Sequence, residues 1–247
     1  MSDILSNKVK LFLKAQLWRA GYELRKFHPS NSIDCQRQLL FQYLDIRNVI
    51  DVGANAGQYG ETLRAIGFCG TIVSFEPGAE AYRKLRRCAA GDPLWRVAER
   101  SAIGSNEGVL PLRVADNSVS SSLLKVTNAH LTAAPDSVAS REEHVSVRRL
   151  DDVLPSHIDM TLPTYLKIDT QGYEWEVLLG AEQVLAGVSA LEIELSLVPL
   201  YDGQVLMDVI VSKLGRLGFS LWGIWPEFAN GDSGQVLQVN GVFVRDL

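Results

Sequence analysis

Apolar positions along the chain change period twice. Over residues 4–27, Val9, Phe12, Leu13, Leu17, Ala20 and Leu24 recur at helical spacing among Lys10, Lys14, Arg19 and Lys26, which predicts an amphipathic helix ended by Pro29. Leu39, Leu40, Tyr43 and Leu44 predict a second helix over 33–44. Short apolar runs then alternate with helical ones. Strands are expected at 48–52, 71–75, 95–98, 165–168 and 191–195. Helices are expected at 59–66, 79–89 and 207–217, and on the face carrying Val177, Leu178, Ala181, Val184 and Leu185. Such alternation predicts a mostly parallel sheet covered by helices on both faces. The end of the chain departs from it: 220–225 and 241–245 read as two strands joined by a Gly-Asp-Ser-Gly stretch, a hairpin that brings in one antiparallel strand. Residues 116–144 are polar and aperiodic, as expected of a lid. The expected organisation is a helical extension over 1–47 packed on a single domain over 48–247.

Composition narrows the class without naming a chemistry. Of 247 residues, 47% are apolar and 21% charged, the balance of a globular protein. A net charge of −5 argues against nucleic acid as a partner, so Arg83, Lys84, Arg86 and Arg87 read as one solvated helix face. Cys35, Cys69 and Cys88 are odd in number and widely spaced, which signals neither a disulfide framework nor a thiolate zinc site. No apolar run approaches the roughly 18 residues of a membrane span. Lys8, Lys10 and Lys14 interrupt what a signal peptide keeps apolar, so a cytoplasmic protein is expected. The N-terminal helices suit simple packing, membrane contact or a homodimer.

The chemistry begins at the first strand. Asp51-Val-Gly-Ala-Asn-Ala-Gly57 is a glycine-rich turn between a strand and a helix, and Glu76 ends the next strand. In parallel α/β sheets those two strand tips are neighbours on the ligand-binding edge, where a carboxylate can accept both hydroxyl protons of an adenosine ribose. A dinucleotide would use Glu76 equally well. The loop, however, lacks G-x-G-x-x-G, and the acid at its start would repel a pyrophosphate. A sulfonium and an ammonium group are attracted by the same acid, which favours S-adenosylmethionine (AdoMet) over NAD.

Asp51 to Gly57 resembles motif I of class I methyltransferases, and Phe75-Glu-Pro77 the acidic end of their second strand. The block from Leu166-Lys-Ile-Asp-Thr-Gln-Gly-Tyr-Glu-Trp-Glu to Ala181, with Leu150-Asp-Asp-Val-Leu154 before it and Ile193-Glu194 after it, resembles the FkbM family of O-methyltransferases. The resemblance covers about 49–245. It implies a Rossmann-like, seven-stranded sheet with AdoMet on its C-terminal edge. Asp51, Gly53, Asn55 and Gly57 would line the methionine half, Glu76 the ribose, Ser101 and Ala102 the adenine, and the serine run around Ser121 would lie beside the ligand. One departure stands out. Where the family has Val-Glu-Gly, this chain has Thr170-Gln171-Gly172, which removes a base or ligand.

The acceptor is read from what surrounds the fourth parallel strand. Asp169-Thr-Gln-Gly replaces the Pro-Pro motif of amine-directed enzymes, and no Pro-Cys pair marks cytosine-carbon transfer, which leaves a hydroxyl. An alcohol needs its proton removed or its oxygen polarised. Asp169 and Glu194 end successive strands and suit Mg²⁺, with Glu174 as a third member. His144 is the expected base, ahead of His130, because a strand anchors it. Tyr201 and Trp225 are the expected aromatic contacts to the acceptor. The family's acceptors imply a sugar hydroxyl on a glycan, glycolipid or oligosaccharide. A polyketide or other natural-product alcohol is the alternative, and a non-catalytic AdoMet-binding partner the reading kept alive by Gln171.

Overall fold

The computed structural model describes residues 2–115 and 120–245. Two compact units divide the chain, residues 1–40 and 41–247. In the first, helix α1 (Ser2–Arg19) stops short of the expected end at 27. Gly21 takes a left-handed φ of 81°, and the Tyr22 N–H turns back to the Leu17 carbonyl, which closes the helix there. Large apolar side chains of this unit, among them Phe12, Leu13 and Trp18, are exposed. Helix α2 (Ile33–Tyr43) carries the chain into the second unit.

The second unit is built on a seven-stranded sheet. Its strands are β1 (Asn48–Val52), β2 (Thr71–Phe75), β3 (Trp95–Val97), β7 (Thr164–Ile168), β8 (Val188–Ser196), β9 (Phe219–Ala229) and β10 (Val236–Arg245). The spatial order is β3-β2-β1-β7-β8-β10-β9, and β10 alone runs against the rest. Helices α3 (Gln58–Ala65) and α4 (Ala79–Ala89) follow β1 and β2, and α9 (Met207–Arg216) follows β8. The segment expected to be a single helix after β7 is two, α7 (Glu174–Leu179) and α8 (Glu182–Gly187). The carboxylate of Asp151, in the short helix α6 (Leu150–Val153), accepts the Gln183 and Val184 N–H groups at 3.0 and 2.9 Å, capping a new helix where one was expected to continue.

Residues 102–148, expected to hold an aperiodic lid, instead form a second sheet of order β4-β6-β5. Its strands are β4 (Ala102–Ile103), β5 (Gly108–Ala115) and β6 (Ala139–Arg148), with a short helix α5 (Asn128–Ala133) between the last two. Residues 116–119 of the expected lid lie outside the described residues. The polar surface of β6 hid its period, since only Val145 and Val147 turn inward.

Alternation along the central strands separates two chemistries. One face carries Ile50, Val52, Val73, Phe75, Leu166, Ile168, Leu191 and Ile193, packed with Val177, Leu178, Val184, Ile210 and Leu214 of the helices. On the opposite face the register aligns Ser74, Asp51, Lys167 and Glu192 across four neighbouring strands. All four are buried. Tyr59 of α3 closes this polar row: its hydroxyl donates to Glu192 at 3.2 Å, and its ring lies 4.9 Å from the Lys167 ammonium.

Candidate functional site

The loop after β1 is folded against the loop after β7. Gly53 and Ala54 donate to the Phe75 carbonyl, and Asp169 N–H to the Val52 carbonyl, so three strand tips are tied together. A Cβ on Gly53, whose φ is +85°, would stand 1.8 Å from the Asp169 carbonyl oxygen. Only glycine allows this approach. Asn55, at φ 46°, directs its N–H to Glu76 Oε2 at 2.8 Å, while Gly78 donates to Glu76 Oε1 at 2.6 Å.

The carboxylates around this loop hold protons tightly. Burial pushes Asp51 up to about 6, against the pull of Lys167 and a hydrogen bond from Ser74. Burial likewise raises Glu76 to about 7, against its two backbone hydrogen bonds. Asp51 is 0% exposed and its Oδ1 accepts no hydrogen bond from any described residue, lying 3.9 Å from Lys167 Nζ. Buried carboxylates of raised pKa favour a positively charged ligand. The residues therefore fit AdoMet, whose sulfonium and ammonium are both cationic, and oppose a pyrophosphate.

Beyond the loop lies a second polar cluster. Lys167 Nζ is 3.0 Å from Asp169 Oδ2. Burial pulls Lys167 down, but Asp169, Asp51 and Glu192 outweigh it and hold the ammonium above its ordinary range. Gln171 Nε2 donates to both Asp169 Oδ1 and Glu194 Oε2, each at 2.9 Å. Its Oε1 accepts the Tyr201 hydroxyl at 2.7 Å, and its backbone carbonyl the Ser122 hydroxyl at 2.6 Å. Gln238 Nε2 adds a bond to Glu194 Oε2 at 2.8 Å. Burial first, then the charges of Asp169 and Glu174, drives Glu194 well above the carboxylate range.

Asp169 and Glu194 thus meet at the Gln171 amide. Among the described residues no three His, Cys, Asp or Glu side chains gather in a form that could hold an ion. The Lys167 ammonium already sits on Asp169 Oδ2, and amide N–H groups, which repel a cation, point at Asp169 Oδ1 and Glu194 Oε2. Mg²⁺ does not fit this donor set. Glu174 turns its Oε1 to the Thr170 and Gly172 N–H groups and the Thr170 hydroxyl, shaping the loop. Burial raises it to about 7.

Other expected residues fall elsewhere. His144 is exposed on β6, opposite Pro111, and makes no described bond to Asp169 or Glu194. The strand that anchors it belongs to the small sheet. His130 is buried edge-on against Tyr201, ring centroids 5.0 Å apart, with Nδ1 enclosed. Tyr201 is 1% exposed, so it presents no open aromatic face; Trp225 on β9 is half-buried. Ser121 accepts the Ala115 N–H, and it is Ser122 that reaches the Gln171 loop. Ser101 is buried, its hydroxyl donating to the Glu99 carbonyl, and Ala102 begins β4. Lys167, Gln171 and Gln238 join the site without standing among the residues the motifs single out. A lysine inside an otherwise apolar strand was the visible signal.

A strand order of 3-2-1, then β7, β8 and an inverted last-but-one strand, with an acidic glycine loop on the C-terminal edge, defines the AdoMet-dependent class I methyltransferases. The family model described as the methyltransferase FkbM domain matches residues 51–221, and the chain belongs to that family. No curated protein sequence matches it. Among solved structures, a candidate methyltransferase of Thermobifida fusca is 12% identical, with 87% of this chain and 79% of that one covered at a TM-score of 0.50. A TehB-like SAM-dependent methyltransferase of Corynebacterium glutamicum is 12% identical over 100% of both chains, TM-score 0.43. The N-terminal domain of human METTL16, solved with S-adenosylhomocysteine, is 9% identical over 85% of this chain and 68% of that one, TM-score 0.44. Identities this low speak only to the fold.

Proposed function

We propose that this methyltransferase moves a methyl group from AdoMet to a hydroxyl of a sugar, on a glycan, glycolipid or oligosaccharide. The observation that carries the reading is the pair Asp169 and Glu194, each 2.9 Å from one amide nitrogen of Gln171, beside the Gly53 loop. Glu194 leaves one oxygen without a hydrogen bond from any described residue, and a hydroxyl supplies a donor to it. The acidity of this crevice disfavours a phosphorylated or carboxylated acceptor. Gln171, the departure from the family's pattern, is the hub of the cluster, which supports turnover over a purely binding role.

AdoMet, when bound, supplies the electrophilic methyl group. The backbone of Gly53, Asn55 and Gly57 would follow its methionine half, with Asp51 acting by charge from beneath the loop. Glu76 keeps lone pairs on both oxygens for two ribose hydroxyls, and Ser101 and Ala102 would border the adenine. Trp225 would meet the acceptor, while Tyr201 and Ser122 hold Gln171 in place.

The test uses AdoMet labelled in its methyl group and a panel of methyl glycosides, a macrolide alcohol and a primary amine. Label is expected in a glycoside methyl ether, unchanged by EDTA. Label on the macrolide alone would move the acceptor class, and label on the amine would overturn hydroxyl transfer.

Acidity gives a second expectation. In the free protein Asp51, Glu76 and Glu174 hold protons to about 6, 7 and 7, above the unfolded range near 4. The folded state therefore binds more protons than the unfolded one, and stability falls as pH rises from about 4 to about 7. A cation at the loop expels those protons, so AdoMet affinity rises over the upper part of the same window, by up to about tenfold per pH unit for each proton released. Calorimetry in buffers of different ionisation enthalpy measures that release. S-adenosylhomocysteine, which lacks the sulfonium charge, is expected to show a shallower slope; equal, flat profiles would remove the charge argument.

A further inference from the structure

The two oxygens of Glu194 are used unequally. Asp169 is engaged at both, Oδ2 by the Lys167 ammonium and Oδ1 by Gln171. Glu192 accepts two tyrosine hydroxyls, from Tyr59 and Tyr165, on Oε2. Glu174 is bound to its own loop. On Glu194, both amide donors, Gln171 and Gln238, fall on Oε2. Oε1 takes no hydrogen bond from any described residue, no described cation pairs with it, and it is not enclosed, the residue being 5% exposed. The two amides come from different elements, the loop after β7 and strand β10, so they fix the carboxyl plane from two sides.

A general base needs a lone pair that a substrate can reach and surroundings that raise its proton affinity. The histidines fail one or the other condition. His144 stands on the small sheet with no described link to the cluster, and the Nδ1 of His130 is shut inside an aromatic pocket of Tyr201 and Phe228. We propose that Glu194 is the base of the methyl transfer, receiving the acceptor's hydroxyl proton on Oε1, with Gln171 and Gln238 as positioning residues. In the step, the hydroxyl oxygen bonds the methyl carbon as the carbon–sulfur bond breaks, its electron pair stays on sulfur, and the proton passes to Oε1 and then to water. This assignment rests on the hydroxyl-transfer reading above. Burial, Asp169, Glu174 and Glu227 raise the proton affinity of Glu194, and Lys167 opposes them.

Three measurements on the full chain test it. The first needs no acceptor: infrared titration of the free protein is expected to show a carboxyl group that ionises above the ordinary range and is missing from Glu194→Gln. A titration identical in the two proteins overturns the proposal whatever the acceptor. The second uses the methyl glycoside accepted in the panel. Glu194→Gln is expected to lower kcat by about 10²- to 10⁴-fold, with the thermal shift given by S-adenosylhomocysteine retained as evidence of folding. Full kcat in that variant removes Glu194 as base and leaves hydroxyl transfer standing. Methyl transfer only to the amine removes both. Gln171→Leu takes a donor from the anion and raises its pKa, so the acidic limb of the kcat profile is expected to move to higher pH. A purely structural role for Gln171 would lower kcat without moving that limb.

Discussion

Gly53→Ala is expected to weaken AdoMet binding severely while leaving a folded protein. The added carbon would stand 1.8 Å from the Asp169 carbonyl oxygen and 2.8 Å from its carbonyl carbon. Neither is a flexible side-chain end, so a loop has to move. The φ of +85° adds roughly 1–3 kcal/mol of backbone strain for any residue with a side chain. Since the Val52, Phe75 and Asp169 backbones are bonded to one another here, displacing one tip displaces the site. A loss of affinity on the order of 100-fold, with each tenfold worth about 1.4 kcal/mol, is the expected result by calorimetry with S-adenosylhomocysteine. The melting temperature should fall by only a few degrees. Affinity within threefold of the wild type would mean that the loop does not carry the ligand.

Lys167→Met is expected to be the most destabilising single change in the sheet. The thioether preserves the length of the side chain and removes the one ammonium set among Asp51, Asp169 and Glu192. Removing one partner of a buried charge pair costs about 3–5 kcal/mol, which in a chain of this size corresponds to roughly 6–20 °C in Tm. The cause can be separated from lost packing by pH. Without the ammonium the neighbouring carboxylates bind protons more tightly, so the variant's deficit relative to the wild type should shrink as pH falls from 7 to 5. A deficit independent of pH would point to packing instead of charge.

The parallel sheet was legible because its strands are short apolar runs between turn residues, and β2 and α4 fall at their expected bounds. What escaped the reading has two physical origins. Strand β6 is polar except at Ala139, Val145 and Val147, so only its end from Val145 reads as a strand, and the apolar run of β5 is broken by Pro111 and shows no alternation. The site partners were missed for a different reason. Ser74, Lys167 and Glu192 stand in otherwise apolar strands, and each occupies the same face as Asp51. A charge at matching parity in neighbouring strands is a readable sign of a buried row, once the strand order is known. Gln171 was read only as the loss of an acid. Its amide shows why the exchange works: it offers two N–H donors where a glutamate would add a third negative charge between Asp169 and Glu194.

The insertion of the small sheet between β3 and β7 bears on how the chain acquires its fold. Strand β1 pairs with β7 through Asn48 and Thr164, partners 116 residues apart, so half the main sheet emerges from the ribosome long before its neighbour exists. During that interval the edge of β1, with Val49 and Ile50 on it, is open to other chains. Closing so long a loop is slow, and high contact order predicts a folding time set by this one pairing. Length itself matters little to the final stability, because doubling the insertion would cost only about 0.6 kcal/mol. The insertion is thus free to vary in size while the moment of docking between β1 and β7 remains the step at which synthesis, chaperone holding and aggregation compete.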